Sequence, residues 1–559
     1  MAQLAIRRIQ PHDLPDSSFG GKAFGMRKLA VWLPDLQNAV GKVNPSASVF
    51  VPATIEIPVE GCRSFILGHQ KVLRSLRDAK DDELFSIMQS HKLSAVTGLS
   101  WLLNGLKAEL AQDPFANASA LAIRSSAIGE DSAKDPRAGI YSTVSMALPQ
   151  GTPKDRLKAV LDGVKGVWAS FFSQLARTYV GNEHEIWTPG EGGMGVIIQP
   201  IVGSRFSTDG AQFFAPHCAG QFCSVDPYIK LFSNPVVSLV FGHGTTVVDG
   251  EVIPQTLHLV DKTGNNQEGI DQPFARAIDL SVVDGSDALR RIHLMGNLRT
   301  ILSQDPGFEL ALEYSSPKLG KAPYVNIKRL LSLGIEGVLF AIHNKLRSFM
   351  DGSVDVEFAL MSGKEPGNWE IHLVQVRRDV TVDASSQMVL PAESGAIESS
   401  VFVGHGINEG IRKIVVLDEN TIPNQQFWDS LRKLNELASG DGALLITSGI
   451  AGTSNPKLGI PFNFTHVSHF SCILEGKRNG KVIASSPATH FLRGLISKKI
   501  VFGCVDGDRG AVDLEQIKQS SSHIERVGQY ITVYTLEIPA TLYANKNLEF
   551  GPVRLSLQL

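Results

Sequence analysis

The chain has 559 residues, of which 43% are hydrophobic and 19% are charged, and its formal net charge is −3 at pH 7. This length predicts roughly two to four domains. The 52 glycines are typical of an α/β enzyme, and the small net charge argues against nucleic acid as the main partner. Five cysteines without a Cys-x-x-Cys pair argue against a disulfide framework or zinc cluster, and the lack of a signal-peptide core or of an apolar run of about 18 residues predicts a cytoplasmic protein with no membrane partner.

The first distinctive stretch is at residues 19–25 (FGGKAFG), which precede a helical pattern of apolar residues. Two adjacent glycines permit a tight turn, and Lys22 in the first helical turn can place its ammonium against a phosphate bound by the helix amides. A helix cap with a solvated lysine is the alternative interpretation. Residues 60–118 then show mostly helical periodicity.

Residues 121–143 (LAIRSSAIGEDSAKDPRAGIYST) carry the strongest indication of chemistry in the chain. Residues 121–123 are a short apolar run, which predicts a buried strand that ends at Arg124 and delivers a guanidinium into a polar loop. An arginine there can bind a phosphate through two hydrogen bonds, while serine and glycine let backbone amides approach an anion. A surface turn with an ordinary salt bridge is the alternative.

The next segment predicts structural elements. Thr152 followed by Pro153 and Asp155 marks a helix start, because the threonine can cap the helix and the acid lies in its first turn. Residues 195–200 and 211–214 are predicted strands. Apolar residues after the helix start recur at helical spacing and predict a stripe that faces the core: Leu157, Val160, Leu161, Val164, Trp168, Phe171 and Leu175.

Residues 351–378 contain a second cluster of polar residues. Asp355 and Glu357 alternate with apolar residues, so a strand would place both carboxylates on one face. After a polar loop, the next strand would place four residues on one face: Ile371, Leu373, Gln375 and Arg377. If the two strands pair as a hairpin, two acids, an amide and a guanidinium converge. The oxygens of the carboxylates and of the amide suit Mg²⁺ in a metal–ATP site. An exposed hairpin with cross-strand salt bridges is the alternative.

Residues 380–395 (VTVDASSQMVLPAESG) are small, polar and weakly periodic, which predicts a linker. Beyond the linker, residues 414–417 and 443–447 predict buried strands on either side of a helix at 424–438. A second domain is therefore expected to start near residue 396.

Taken together, the motifs resemble the nucleotide-binding domain shared by pyruvate phosphate dikinase and phosphoenolpyruvate synthase. That family begins with a similar Gly-Gly-Lys-Ala, has an arginine loop similar to residues 124–143, and contains Asp-Ile-Glu-Phe and Gln-x-Arg-Pro motifs similar to the two strands of the predicted hairpin. Thr245 lies where the family has a glutamate near the nucleotide, and Arg378 replaces the family's proline. The matches span residues 22–377 in the family's order.

The resemblance implies an ATP-grasp-type domain at residues 1–379 that binds Mg-ATP. Carried over by position, it implies that the triphosphate is bound by Lys22, Arg124 and Arg377. It also implies that Glu357 and Gln375 hold Mg²⁺ and that Asp355 supports them. The altered residue at position 245 implies a changed base or ribose contact, or a weakened site.

The residues after the linker resemble the phosphohistidine domain of the same family, a swivelling β/α module whose histidine carries phosphate between distant sites. Ser468-His469 precedes a helix-like segment at 470–475 and a strand-like segment at 481–484, which is that module's order of elements. The sequence here most resembles that of the glucan water dikinases. In those proteins a Leu-Ser-His sequence is followed by Arg-Asn-x-Lys-Val, which residues 478–482 (RNGKV) resemble. The resemblance implies that His469 carries the phosphate.

Two other histidines offer alternatives. His490 is the carrier if the helix after it corresponds to the one that follows the family's histidine. His466 and His469 are three residues apart and could both bind a metal, although no third ligand is evident in the sequence. A lone histidine is also commonly a structural residue.

Residues 396–516 are therefore the predicted phosphohistidine-like domain, which is smaller than the first. Residues 517–559, with strand candidates at 530–534 and 553–557, are a predicted β-rich C-terminal tail. The large C-terminal barrel that binds pyruvate or phosphoenolpyruvate in the pyruvate dikinases is not expected in these 559 residues. The expected fold class is α/β (α+β).

These features predict a dikinase-like phosphotransferase, which cleaves Mg-ATP to AMP and phosphate and passes a phosphoryl group through a phosphohistidine to an acceptor. The acceptor would be a small molecule, a glucan or a separate subunit, and the oligomeric state stays open. Two alternatives are a nucleotide-binding scaffold or regulator and an ADP-forming ATP-grasp kinase or ligase. The identity of the nucleotide product distinguishes the three.

Overall fold

The computed structural model describes residues 7–9, 17–68, 75–76, 79–93, 96, 98–132, 136–180, 193–224, 235–259, 270–272, 274–305, 307–308, 324–325, 330, 333–363, 365–379, 390–440, 442–481, 489–547 and 554–559. These residues form two compact units, both of mixed α/β class. The first contains the described residues up to Asp379 except 248–253, which group with the residues after 380. In the described parts of the chain, no helix is both long and apolar enough to cross a membrane.

The strands of the first unit are β1 (Arg7–Arg8), β2 (Ser48–Phe50), β3 (Ile55–Ile57), β4 (Ala120–Ala127), β5 (Thr143–Ala147), β6 (Met194–Pro200), β7 (Ser204–Thr208), β8 (Ala211–Ala215), β9 (Cys218–Cys223), β10 (Val236–Phe241), β11 (Gln255–His258), β12 (Ile270–Asp271), β13 (Phe274–Asp279), β14 (Leu289–His293), β15 (Tyr324–Val325), β16 (Val354–Ser362) and β17 (Trp369–Arg378). Its α-helices are α1 (Gly21–Val43), α2 (Val59–Gly68), α3 (Asp81–Ser90), α4 (Ser100–Leu110), α5 (Pro153–Ser170), α6 (Gln174–Val180), α7 (Thr245–Val248), α8 (Leu294–Gln304) and α9 (Ile335–Met350).

Two sheets of the first unit carry the residues that the sequence singled out. One has the strand order β1-β3-β6-β4-β5 and is antiparallel, with α5 packed against β4. The other has the order β11-β10-β9-β16-β17-β2 and is antiparallel except for the parallel pair β17 and β2. Helix α1 packs on the second sheet, and its apolar face contributes to a shared core: Ala23, Met26, Leu29, Leu36 and Val40.

Helix α5 begins as the sequence predicts. The backbone N–H of Asp155 donates to Oγ1 of Thr152 at 3.3 Å, and the backbone N–H of Thr152 donates to Oδ2 of Asp155 at 2.9 Å. The middle of the predicted apolar stripe is fully buried, at Val160, Val164 and Trp168. The other helices and strands predicted before residue 220 are confirmed as α2, α3, α4, β6 and β8.

One predicted strand boundary is wrong. The sequence predicts that β4 ends at Arg124, but the strand continues to Ala127 and contains the whole Arg-Ser-Ser segment. Arg124 lies opposite Thr143 of β5 and opposite Ile197 of β6. Because β6 pairs with β4 as far as Ala127, its hydrogen bonds keep these polar residues extended, which local composition does not predict.

The predicted hairpin of β16 and β17 is confirmed. Asp355 lies opposite Arg377, and Glu357 lies opposite Gln375. Residues directly opposite each other in an antiparallel pair point to the same side of the sheet. The two carboxylates, the amide and the guanidinium therefore share one face, as expected.

A β-bulge, however, changes which other residues of β17 share that face. The sequence predicts a common face for Ile371, Leu373, Gln375 and Arg377, which is wrong because Val374 has no opposite residue on β16. One inserted residue reverses the alternation of side chains. Ile371 and Leu373 consequently lie in the core, whereas the two polar residues after the bulge lie on the opposite face.

Two glycines permit the close approach of α1 to the end of β4 and the turn after it. Gly20 has a φ of 82°, and a Cβ at this position would overlap the carbonyl of Ser126. A Cβ on Gly21 would overlap the carbonyl of Glu130. The Gly-Gly pair is therefore required by contact between two backbone segments.

We expect Gly21→Ala to lower the free energy of unfolding by about 3 kcal/mol, because the added methyl group forces the backbone of α1 away from Glu130. Urea unfolding measures the change. The matched control is Gly41→Ala in the same helix, where a Cβ would meet nothing within 4 Å and where alanine should raise stability by about 1 kcal/mol. Equal stabilities of the two variants would contradict the steric explanation.

The second unit contains the strands β18 (Ile397–Ser399), β19 (Phe402–Val403), β20 (Gly406–Leu417), β21 (Gly442–Ser448), β22 (Ile450–Ala451), β23 (Gly459–Ile460), β24 (Cys472–Gly476), β25 (Val501–Cys504), β26 (Gly510–Val512), β27 (Ser521–Val527), β28 (Ile531–Asn545) and β29 (Arg554–Gln558). Its α-helices are α10 (Gln425–Leu437), α11 (His490–Ser497) and α12 (Leu514–Gln519).

The main sheet of this unit has the order β19-β25-β24-β21-β20-β28-β29-β18-β26, and β27 pairs with β28. Strands β20, β21, β24 and β25 run parallel to one another. The strands and the helix predicted between residues 414 and 447 are confirmed as β20, α10 and β21. The residues of the predicted C-terminal tail supply β27, β28 and β29, so they are part of this sheet.

The predicted helix at 470–475 is wrong, since this segment contains β24 between its parallel neighbours β21 and β25. A short apolar run such as CIL fits a buried parallel strand as well as a helical turn, and the two partner strands decide between them. Of the predicted strand at 481–484, only Lys481 is described, in an isolated bridge with Arg478. The rest of that prediction lies outside the described residues.

Glu475 at the end of β24 is a buried carboxyl group. Its Oε1 accepts a hydrogen bond from the backbone N–H of Ala451 at 2.8 Å, and the thiol of Cys504 lies 3.6 Å from its Oε2. Burial raises the pKa of Glu475 to about 8, although the Ala451 hydrogen bond and the charge of Arg509 act in the opposite direction. The folded protein therefore holds this proton more tightly than the unfolded chain.

Since the unfolded glutamate has a pKa of about 4.3, we expect the free energy of unfolding to fall as the pH rises from about 5 to 8 and to level off above that. Glu475→Gln should remove this dependence, which amounts to at most about 1.4 kcal/mol per pH unit. Denaturant unfolding at several pH values measures it, with Glu515→Gln on the exposed face of α12 as the control. A Glu475→Gln profile parallel to the wild type would argue against a raised pKa.

Candidate functional site

Arg124 extends from β4 to the hairpin of β16 and β17. Its Nη1 donates to the carbonyl oxygen of Val374 at 2.8 Å. Its Nη2 donates to Oε2 of Glu357 at 2.8 Å and to Oε1 of Gln375 at 2.5 Å. The bulge contributes directly to this arrangement, because the carbonyl group of the inserted residue helps to orient the guanidinium.

The two side-chain oxygens at Nη2 are those that the sequence analysis assigns to Mg²⁺. Because Glu357 and Gln375 both accept hydrogen bonds from one nitrogen of Arg124, their oxygens converge on a single positive centre. A carboxylate and an amide oxygen are hard ligands, of the kind that Mg²⁺ binds together with water and phosphate oxygens. The residues present therefore fit this ion.

Arg377 is held by two buried carboxylates. Its Nε donates to Oδ2 of Asp355 at 2.7 Å, and its Nη1 donates to Oδ1 of Asp131 at 3.2 Å. Oδ1 of Asp355 accepts a hydrogen bond from the side-chain amide of Gln221. Only 3% of the Arg377 side chain and 1% of the Asp355 side chain are exposed. Asp355 therefore orients the guanidinium of Arg377.

Lys22 in the first turn of α1 is held by the end of β4 and the turn after it. Its Nζ forms an ion pair with Glu130 and donates to Oγ of Ser125 at 3.2 Å. Glu130 also accepts hydrogen bonds from Oγ of Ser125 at 2.9 Å and from the backbone N–H of Ala127 at 2.8 Å. The close approach that the Gly-Gly pair permits thus brings the ammonium to this turn.

Glu130 and Asp131 are site residues that the sequence analysis did not single out. The side-chain amide of Gln375 donates to the two oxygens of Asp131 at 3.1 and 2.9 Å, which ties the turn after β4 to the hairpin. Burial raises the pKa of Asp131, whereas the positive charges of Lys22 and Arg377 lower it. Their position in the sequence could have indicated a role in the site, since these two adjacent acids closely follow the Arg-Ser-Ser segment.

His243 is another residue that the sequence analysis missed. Its Nδ1 lies 3.2 Å from Oγ1 of Thr245, the residue at the position of the family's glutamate. Burial lowers the pKa of His243 to about 4, and the charges of Arg124 and Arg276 lower it further, against the opposite effect of Glu357. His243 is therefore a neutral imidazole at pH 7 within electrostatic range of the predicted phosphate and metal ligands.

The charges of the site favour a divalent cation together with phosphate. Three cations are paired with four carboxylates: Lys22, Arg124 and Arg377 with Glu130, Asp131, Asp355 and Glu357. With every group ionised, the set carries a formal charge of −1, which repels a polyphosphate. A bound Mg²⁺ would reverse the sign of that charge, and by taking over the oxygens of Glu357 and Gln375 it would leave Arg124 free for phosphate oxygens.

A cavity of about 370 Å³ lies beside these ion pairs. Its walls include Gly20 and Gly21 at the start of α1, Asp131 in the turn after β4, and Arg377 near the end of β17. Small-molecule sites commonly have volumes of about 300–1,000 Å³. The site residues thus border a space large enough for a ligand.

Cations and carboxylates that border a ligand-sized cavity at a helix start characterise a small-molecule-binding domain. The chain belongs to the family described as pyruvate phosphate dikinase, AMP/ATP-binding domain, whose sequence model matches residues 16–394. Its first unit accordingly has the ATP-grasp-type nucleotide-binding fold, and the chain is a member of an ATP-binding, dikinase-type phosphotransferase family. A comparison with curated proteins finds no significant match.

In the second unit, the two candidate phosphate carriers have different surroundings. His469 is exposed in the turn before β24, and its Nδ1 lies 3.1 Å from the carbonyl oxygen of Asn435. His490 is the first residue of α11, where the backbone N–H of Leu492 donates to Oγ1 of Thr489 at 3.3 Å and so caps the helix. The helix expected after the carrier therefore follows His490, whereas a strand follows His469.

His466 has structural contacts. Its ring stacks on Trp428 with 4.4 Å between the ring centroids, and its Nδ1 accepts a hydrogen bond from the backbone N–H of Asn463 at 3.1 Å. Burial lowers the pKa of His466 to about 4. In the part of the chain that the structure describes, no group of three or more His, Cys, Asp or Glu residues is placed to hold a metal ion by itself.

Proposed function

We propose that the chain is an ATP-dependent phosphotransferase whose first unit binds Mg-ATP and whose second unit carries a phosphoryl group on a histidine. The main support is Arg124, whose Nη2 donates to both Glu357 and Gln375 in a chain of the dikinase family. A cation that takes over these two oxygens would leave the guanidinium free to bind a phosphate through two hydrogen bonds.

Each site residue then has a distinct role. The triphosphate is bound by Lys22, Arg124 and Arg377, which offset negative charge on the transferred oxygens. Mg²⁺, held by Glu357 and Gln375, neutralises phosphate charge when bound. The remaining acids orient these side chains: Asp355 and Asp131 hold Arg377, and Glu130 holds Lys22.

For the carrier we propose His490, with His469 as the alternative. The helix dipole at the start of α11 favours the negative charge of a phosphohistidine. An unprotonated ring nitrogen attacks the β-phosphorus of ATP, and the bond to the AMP oxygen breaks. The terminal phosphoryl group of the resulting pyrophosphohistidine then passes to water or phosphate, which leaves a phosphohistidine for the acceptor.

We expect Glu357→Gln to raise the Mg²⁺ concentration that gives half-maximal ATP turnover by roughly 10-fold or more, because a neutral amide is a weaker ligand than a carboxylate. Asp355→Asn should change it less, since Asp355 contacts Arg377. Magnesium titrations of the variants measure the effect. Glu370→Gln, on the same hairpin with half of its side chain exposed, is the control, and an unchanged half-saturation in Glu357→Gln would exclude the metal assignment.

The nucleotide product tests the proposed function itself. The full chain is incubated with ATP and Mg²⁺, and the nucleotides are separated by chromatography. AMP without ADP is the expected result. Formation of ADP would instead support an ATP-grasp kinase or ligase.

A non-catalytic nucleotide-binding scaffold is a second candidate, favoured by one observation. Thr245 cannot supply the negative charge of the family's glutamate, and its hydroxyl is engaged with His243. A scaffold would bind ATP with the same affinity under conditions that permit turnover and under conditions that do not. It would release neither AMP nor ADP.

A further inference from the structure

Lys28 and Arg378 are two cations on the wall of the cavity beside the ATP site, and the proposed function uses neither. Lys28 lies in the second turn of α1. Arg378 is the last residue of β17 and replaces the proline of the family motif. Among the described residues, neither of them has a carboxylate within ion-pair distance.

Neutral groups hold both cations in place. The sulfur of Met350 lies 3.9 Å from Nζ of Lys28, and the carbonyl oxygen of Met350 accepts a hydrogen bond from Nη2 of Arg378 at 2.8 Å. Nζ of Lys28 also lies 4.2 Å from the ring centroid of Phe24 and 5.9 Å from that of Trp32. Such contacts orient a cation without neutralising it.

Lys28 and Arg378 act on each other as like charges at this cavity. Burial lowers the pKa of Lys28, and the positive charge of Arg378 lowers it further. The other charged residues of the cavity wall, Glu130, Asp131 and Arg377, already form ion pairs within the ATP site. Two like charges that share a partly buried space repel each other, and a bound anion relieves that repulsion.

We propose that Lys28 and Arg378 form a subsite that binds a phosphate group in this cavity. An ammonium and a guanidinium together supply a point charge and a planar set of donors, both of which suit phosphate oxygens. The start of α1 also lies at this cavity through Gly20 and Gly21. Gly20 has no side chain to cap the helix, and in the first turn the backbone N–H of Ala23 donates to Oγ of Ser126 at 3.0 Å. The phosphate belongs either to a nucleotide or to free inorganic phosphate, and its binding does not depend on phosphoryl transfer.

Calorimetric titrations of the full chain with inorganic phosphate and with a non-hydrolysable ATP analogue test the subsite. In Lys28→Gln/Arg378→Gln, at least one of the two ligands should bind roughly 10-fold or more weakly than to the wild type, because two charge-assisted contacts are lost. The control is Lys42→Gln/Arg347→Gln, which removes the same charge from exposed positions on α1 and α9 and should bind as the wild type does.

Competition identifies the source of the phosphate. If the analogue displaces inorganic phosphate, the subsite takes a phosphate of the nucleotide; if both bind together, it takes free phosphate. Lys28→Arg keeps the charge and the aliphatic stem and should retain binding, which separates loss of charge from loss of packing. The proposal is overturned if neither ligand binds more weakly to the cavity variant than to the control variant, whatever the nucleotide product of the enzyme.

Discussion

Arg124→Lys is expected to lower kcat/KM for ATP by roughly 100-fold or more. The guanidinium bonds the Val374 carbonyl through one nitrogen and both Glu357 and Gln375 through the other, so it spans two sheets with a fixed fork. A lysine ammonium is a single point charge and cannot make both sets of bonds at once. Keeping the positive charge should therefore not rescue turnover.

Steady-state kinetics at saturating Mg²⁺ measure the loss, and denaturant unfolding shows whether the fold is kept. Arg205→Lys is the matched control, because Arg205 is an exposed arginine of the same unit that bonds the hydroxyl of Ser119. We expect this control to be as active as the wild type. Near-normal turnover in Arg124→Lys would show that Arg124 does not bind phosphate through two hydrogen bonds.

The second large effect concerns the phosphate carrier. With ATP labelled at the β-phosphate and no acceptor, the full chain should take up an acid-labile, base-stable label and release AMP. Label at the γ-phosphate should leave as phosphate or pyrophosphate. We expect His490→Ala to abolish labelling completely, because the attacking nitrogen is lost, while ATP binding by the first unit stays close to normal.

His469→Ala is the matched histidine variant in the same unit, and we expect it to be labelled like the wild type. The reverse pattern, with label retained in His490→Ala and lost in His469→Ala, would reassign the carrier to His469 and leave the fold unchanged. A wild-type protein that takes up no label at any Mg²⁺ concentration would favour the scaffold.

Local signals determined a large part of the fold. Thr152 and Asp155 cap α5 through bonds between residues three positions apart, so the sequence shows the helix start directly. The alternation of polar and apolar residues around Asp355 and Glu357 predicted the hairpin, because successive side chains of a strand point to opposite faces and the sequence shows that alternation directly. The order of these motifs also indicated the family, and hence Lys22 and the other cations of the ATP site.

The tertiary structure decided what depends on contacts between distant residues. Arg124 meets Gln375 across 251 positions of the chain, and the carbonyl that orients it comes from a bulge that alternation alone does not reveal. Asp131 joins the site only because the turn after β4 reaches the hairpin. The segment after His469 is a strand because β21 and β25 lie on either side of it, and backbone pairing with distant strands outweighs the preference of a short apolar run.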